Sequence, residues 1–184
     1  TFDQVKQTYR HQIDALIEAD SAILMVETIF DSLNAKAALV AIKESGTKSP
    51  VIISAAVGRG GETMISAQKV EALWNTFAHI NPLAIGLNCS LGPDLMEPFL
   101  RDLGKAATTH VSCYPNAGLP NPLAPTGFDL EPKDMQDYIA GFADSGLLNL
   151  AGGCCGNTPE HIAAIAQAVE GKAPRQVPIL ANEA

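Results

Sequence analysis

The sequence predicts an α/β fold built around a parallel sheet, and three observations carry that expectation. Short runs of β-branched and aliphatic residues recur five times along the 184 residues. Amphipathic helical stretches fill every gap between those runs. The residues suited to chemistry gather at or just after the apolar runs instead of scattering. Strands that alternate with helices pair in parallel through right-handed crossovers.

The elements follow in order. Residues 2–19 form an amphipathic helix with Val5, Tyr9, Ile13, Leu16 and Ile17 on one stripe. A first strand is read at 22–26, then a helix over 32–44 that turns Leu33, Ala37, Val40 and Ala41 inward. A second strand at 51–54 precedes a helix over 66–80 whose inner face is Val70, Leu73, Trp74 and Phe77. The third strand, 83–87, is followed by a helix over 94–106 carrying Met96, Phe99, Leu100 and Leu103. The fourth, 110–113, leads into a long proline-rich loop over 114–131 and then a helix over 132–145 with Met135, Ile139 and Phe142 inside. Loops of that length at a strand end are usually functional. The fifth strand, 147–150, precedes a helix over 158–169 with Thr158 as its N-cap and Pro159 at the first helical position. The strands are nearly all apolar, as for strands buried on both faces. An open doubly wound sheet and part of a (βα)8 barrel both fit, and five strands are too few to close a barrel.

Composition narrows the function. Hydrophobic residues at 47% and charged residues at 17% describe an ordinary globular chain. With aromatics at 5%, the core must come from Ala, Leu, Ile and Val. A net charge of −8 repels phosphate backbones, so nucleic acid is not an expected partner. No apolar run approaches the roughly 20 residues that span a membrane, so none is expected there either. The opening Thr1-Phe2-Asp3-Gln4 has neither the basic head nor the apolar stretch of a signal peptide, and no initiator Met. The expectation is a chain that begins inside a longer protein, with a domain over 1–175 and a linker or tail over 176–184. Four cysteines without a secretory signal point to a reducing, cytoplasmic setting and to metal or catalytic use.

Glu27, Cys89, Asn116, Cys154 and Cys155 all lie at or just beyond the carboxyl ends of predicted strands, where parallel α/β folds build their sites. Zinc is the natural metal for three thiolates, held tetrahedrally with one position left for water or substrate. The glycines of Gly152-Gly153-Cys154-Cys155-Gly156 would let the backbone turn so that both sulfurs face one ion. On the residues alone, Cys89 and Cys113 could equally be buried small hydrophobes. Glu27 could be an ion-pair partner, and Asn116 could shape the turn before Gly118. His161, just inside a helix start, reads as a capping or surface residue, and His11, His79 and His110 have no partner motif.

Three segments resemble the homocysteine S-methyltransferase family: Gly86-Leu87-Asn88-Cys89-Ser90-Leu91-Gly92-Pro93, Tyr114-Pro115-Asn116-Ala117-Gly118-Leu119-Pro120, and residues 152–162 around the paired cysteines. Residues 27–38, opening Glu27-Thr28-Ile29-Phe30-Asp31, resemble the homocysteine-binding module of cobalamin-dependent methionine synthases. The similarity runs from about residue 1 to residue 175. It implies a (βα)8 TIM-type barrel, here an incomplete one holding the last five βα units. It implies zinc on Cys89, Cys154 and Cys155, Asn116 beside the metal, and Glu27 holding the homocysteine amino group. Cys113 matches no family ligand and is expected to be a buried thiol. The family usually carries Ser-Gly-Arg-Thr-Leu-Ser-Gly after the second run; this chain has Gly60-Gly61-Glu62-Thr63-Met64-Ile65-Ser66-Ala67 instead.

The implied activity is methyl transfer to homocysteine, in methionine biosynthesis. Three cysteine thiolates make an electron-rich centre on which an added sulfur stays nucleophilic, whereas histidine-rich sites suit water activation. The implied donor is methylcobalamin, carried with a folate-binding domain on the same or a partner chain. No Asp-x-His-x-x-Gly cobalamin signature occurs here. Three alternatives stand beside this reading: a homocysteine methyltransferase using betaine or S-methylmethionine, a catalytically incomplete zinc-binding module, and a corrinoid-dependent methyltransferase for another thiol.

Overall fold

A computed structural model describes residues 1–125 and 127–178. The chain opens on α1 (Phe2–Glu18), and five βα units follow: β1 (Leu24–Ile29) with α2 (Ser32–Ser45), β2 (Val51–Ala55) with α3 (Val70–Phe77), β3 (Ala84–Asn88) with α4 (Pro93–Ala106), β4 (His110–Tyr114) with α5 (Pro132–Asp144), and β5 (Leu150–Ala151) with α6 (Pro159–Val169). A short 3-10 turn, Ala78–Ile80, extends α3.

Every strand pair is parallel, and the spatial order is the chain order, β1-β2-β3-β4-β5. That order separates the two architectures. A doubly wound sheet reverses direction at a switch point, which opens helices onto both faces. Here the order never reverses, so crossovers of one hand keep the helices on one face, as in a barrel wall. The fold is α/β with a five-stranded parallel sheet, consistent with part of a TIM-type barrel.

Register separates the two faces of this arc. Ser54, Gly86 and Ser112 lie side by side, and Asn88 and Tyr114 continue their row. Leu87 and Cys113 point the other way, and the Cys113 thiol touches Met96 Sδ of α4 at 3.5 Å, which marks that face as the helix-covered one. The concave face is therefore small and polar where uniformly apolar strands were expected. A Cβ on Gly86 would lie 2.1 Å from the Ser112 carbonyl oxygen, so only hydrogen fits there.

Several boundaries differ from the sequence reading. β1 begins two residues later than expected and continues through Glu27 and Thr28. Its pairing breaks register between Val26 and Ile29, where Thr28 takes a left-handed φ of 57°. β1 pairs with β2 alone, so Met25 and Glu27 remain exposed. α3 starts at Val70 instead of residue 66, because Thr63, Ser66 and Gln68 form a closed loop. The Thr63 and Ser66 hydroxyls are 2.7 Å apart, and Thr63 Oγ1 accepts from the Gln68 amide at 3.0 Å. Such side chains offer the backbone an alternative to helix. In α2, Leu33 is exposed, and the inner face is Ala35, Ala38, Leu39 and Ile42 together with Ala37 and Ala41. β5 is shorter than expected because Asn149 substitutes for the ladder: its Oδ1 accepts from Val111 N at 2.9 Å, and its own amide donates to Val111 O.

Past α6 the chain turns back under the sheet, where Arg175 is buried against the carboxyl end of α4. The expected tail over 176–184 lies outside the described residues from 179 onward. Among the described residues no helix is long and apolar enough to cross a membrane.

Candidate metal centre

The site is built by three loops at the carboxyl edge of the sheet. After β3, Cys89 and Ser90 both take φ of 62°, a left-handed turn that bends the chain sharply before α4. Such backbone is strained for residues with a Cβ and is tolerated where surrounding contacts hold it. Here Cys89 N donates to Tyr114 O at 3.1 Å, and Leu91 N donates back to Cys89 O at 2.7 Å. After β5, Cys154 N donates to Pro115 O at 2.9 Å. Asn157 Nδ2 donates to Pro115 O and Cys154 O at 3.0 and 3.2 Å.

Asn116 ties the three loops together. It is 4% exposed; its backbone N donates to Leu91 O at 3.0 Å, and its Oδ1 accepts from Cys155 N at 3.1 Å. The residue does shape a turn, as one reading of the sequence had it, and it also stands directly against the paired cysteines.

The glycines around the cysteines answer mainly to close approach. Gly152 and Gly153 do not use left-handed backbone. A Cβ on Gly152 would lie 2.6 Å from the Tyr114 ring, and one on Gly153 would lie 2.4 Å from the Asn157 side chain. Gly156 needs both freedoms, with φ of 79° and the Phe128 ring 2.3 Å from where a Cβ would stand. The backbone freedom expected of all three is therefore required at Gly156 alone.

Cys89, Cys154 and Cys155 converge. Their sulfurs all lie within 4.8 Å of one another. Cys89 and Cys155 are 3.7 Å apart, and Cys154 and Cys155 are 3.9 Å apart. Four sulfurs held tetrahedrally at about 2.3 Å from one zinc stand about 3.8 Å apart, so these edges fit a single ion. They are far too long for a disulfide, which spans about 2.05 Å. Without metal the Cys155 thiol is pushed up to about 11, by loss of solvent around its sulfur and by the neighbouring Cys89 and Cys154 sulfurs.

Cys113 belongs to the other face. It is fully buried, and burial pushes its thiol up to about 12. Glu27 sits exposed on β1, on the concave side; burial raises the Tyr114 phenol, and the Glu27 carboxylate adds to that. His161 closes a capping box with Thr158 and is buried rather than superficial. Its Nδ1 accepts from Thr158 N at 3.1 Å and its Nε2 faces Leu130 O at 2.8 Å, so both ring nitrogens are occupied away from the cysteines. In the altered loop, Glu62 pairs with Lys69 at 2.5 Å, and Lys69 also donates to Gly60 O.

The sequence reading assigned no role to Asn88, Thr28 or Ser54. Asn88 is 1% exposed. Its Oδ1 accepts from Thr28 N at 3.0 Å and from Ser54 Oγ at 2.7 Å. Its Nδ2 donates to Thr28 Oγ1 at 2.8 Å and to Cys154 Sγ at 3.9 Å. The available signal was an amide closing an apolar strand directly before a candidate ligand, since buried amides need partners.

Comparison with known proteins identifies a family and a similar fold. The family model described as homocysteine S-methyltransferase matches residues 1–169. Among solved structures, the fold is similar to the homocysteine methyltransferase MmuM from Escherichia coli. Its apo form gives 20% identity and a TM-score of 0.72, covering 91% of this chain and 57% of that one. Its metallated form gives 21% and 0.73, covering 91% and 52%. Its oxidised form gives 22% and 0.69, covering 88% and 52%. The chain thus spans a little over half the length of these proteins.

Proposed function

This chain belongs to the homocysteine S-methyltransferase family, and from that premise we propose that it serves zinc-dependent methyl transfer to the thiol of homocysteine, giving methionine. The observation that carries the proposal is the trio of sulfurs at one rim, at separations that suit a single tetrahedral ion. Cys89, Cys154 and Cys155 would hold the zinc, leaving one position free. Zinc, when bound, would keep an added thiol ionised at neutral pH, where a free thiol of pKa about 8.5 is mostly protonated.

The chain's own residues supply the rest. Asn116 holds the Cys155 backbone and presents an oxygen beside it. Glu27, on the concave side of β1, offers a carboxylate to the homocysteine ammonium. Domain bounds of 1–175 suit the buried Arg175, and the sulfur-rich site suits a reducing cytoplasm. The resemblance of residues 27–38 favours methylcobalamin as donor, carried with a folate-binding domain outside this chain.

X-ray absorption at the zinc edge tests the reading. Three protein sulfurs should become four when homocysteine is added. An unchanged sulfur count would mark a non-catalytic zinc module instead. Glu27→Gln should weaken homocysteine binding about tenfold, the scale of one charge-assisted hydrogen bond, while zinc affinity stays the same. Equal loss of both would remove Glu27 from the substrate site.

Metal uptake should also depend on pH in a definite direction. With the Cys155 thiol near 11, that ligand is protonated at neutral pH before metal binds, and binding must expel its proton. Zinc affinity should therefore rise with pH, by up to about tenfold per unit for each proton released. Chelator competition at several pH values between 6 and 8 reads this slope, and a flat profile contradicts it.

A further inference from the structure

We propose that Asn88 is a positioning residue for the metal centre: its Nδ2–H is aimed at Cys154 Sγ and ties that sulfur to the β1 rim beside Glu27. The inference rests on the reading of the three cysteines as metal ligands.

The direction of the amide follows from chemistry. The Thr28 backbone N–H can only donate, so the atom 3.0 Å from it must be the Asn88 oxygen. The Ser54 hydroxyl reaches the same oxygen at 2.7 Å. The nitrogen is thereby turned toward Thr28 Oγ1 and Cys154 Sγ, and a flipped amide would leave a buried N–H facing a donor. The amide is 1% exposed, so no solvent competes for these contacts.

Thr28 supplies a second, independent observation. It is β-branched yet holds a φ of 57°, where such residues are rarely found. Both its backbone N–H and its hydroxyl are bound by the Asn88 amide. Asn88 thus holds the strained residue next to Glu27 and one of the three sulfurs at the same time. A shift of either would be felt by the other, which couples the proposed substrate carboxylate to the metal ligands.

The contact also bears on selectivity among sulfurs. A hydrogen bond to a thiolate draws electron density from it and lowers its reactivity toward alkylating groups. Among the described residues, Cys154 is the one of the three whose sulfur accepts from a side-chain amide. It should therefore be the least reactive, leaving the incoming substrate sulfur as the better acceptor.

The test compares the zinc-loaded full chain with Asn88→Ala and Asn88→Asp. The aspartate keeps an acceptor for Thr28 N and Ser54 Oγ while removing the donor, so it preserves the fold if alanine does not. Zinc affinity is measured by chelator competition, and iodoacetamide labelling of Cys89, Cys154 and Cys155 is followed by mass spectrometry. In the unaltered protein Cys154 should label slowest. In either variant zinc affinity should fall roughly tenfold, as for loss of a group that holds a ligand in place, and labelling of Cys154 should rise relative to Cys89 and Cys155. An unchanged ratio of Cys154 labelling to that of Cys89 and Cys155, as an equal rise at all three would give, would overturn the assignment. An unaltered chain that binds no zinc would instead overturn the metal reading, and this inference with it.

Discussion

Cys154→Ala should leave the chain folded and remove its metal. Cys154 lies at the rim, half-buried, outside the apolar core. The substitution therefore costs little packing and deletes one of the three proposed ligands. A structural zinc site is stabilised by about 10–16 kcal/mol, so one ligand of three accounts for about 3–5 kcal/mol. That corresponds to roughly a thousandfold loss of affinity, enough to empty the site during dialysis. The methyl transfer proposed for the complete protein should disappear with it. Cys113→Ala is the matched control, because that sulfur faces α4 on the opposite side of the sheet. It should keep its zinc and lose only packing. Metal analysis of both proteins after dialysis decides the matter: a Cys154→Ala protein with a full complement of zinc would end the ligand assignment.

Arg175→Ala should have the largest effect on stability. The last carbonyls of a helix have no partner within it. At the end of α4, Arg175 supplies them from outside: Nη2 donates to Gly104 O at 2.6 Å and Ala107 O at 2.7 Å, while Nη1 donates to Thr109 O at 2.9 Å. Its backbone is held as well, through Arg175 N to Leu148 O and Asn149 Nδ2 to Arg175 O, both at 2.8 Å. Burial draws the guanidinium below the usual arginine pKa, and the negative end of α4 favours its charge. Truncation removes a side chain that is itself buried, at 6% exposure, and leaves three carbonyls without their donor. Charge-assisted bonds contribute about 1.5–3 kcal/mol each, and water recovers part of the loss, so a net cost of about 3 kcal/mol is expected. For a chain of this size that lowers Tm by roughly 6–12 °C. Arg175→Lys should recover little, since one ammonium cannot reproduce the planar fork. Zinc affinity should not change, because Thr109 and Leu148 precede β4 and β5 at the edge opposite the cysteines. Thermal unfolding with and without metal measures both effects. A loss below about 0.5 kcal/mol, ordinary for surface positions, would contradict the account.

Much of this protein was legible before any tertiary contact was known. Helical faces such as Met96, Leu100 and Leu103, or Met135, Ile139 and Phe142, follow from spacing and are buried as spaced. Thr158 and Pro159 announce the start of α6, and His161 joins the cap in place of any metal role. The boundary errors have local causes. Thr63 and Ser66 close a loop where helix was expected. The side chain of Asn149 replaces ladder bonds that would have lengthened β5.

The sequence by itself determined the alternation of strands and helices, and with it the edge where Glu27, Cys89, Asn116 and the paired cysteines belong. Periodicities of two and 3.6 residues are written into neighbouring side chains, and parallel strands bring their carboxyl ends to one side whatever their order. Only the tertiary structure decided the order of the strands, the spacing of the sulfurs, the bonds of Asn88 and the burial of Arg175. The longest of those contacts join residues 60 to 71 positions apart, as between Thr28 and Asn88, Cys89 and Cys155, or Gly104 and Arg175. No local pattern encodes such a pairing, because it exists only once the intervening helices have packed and turned the strands toward one another.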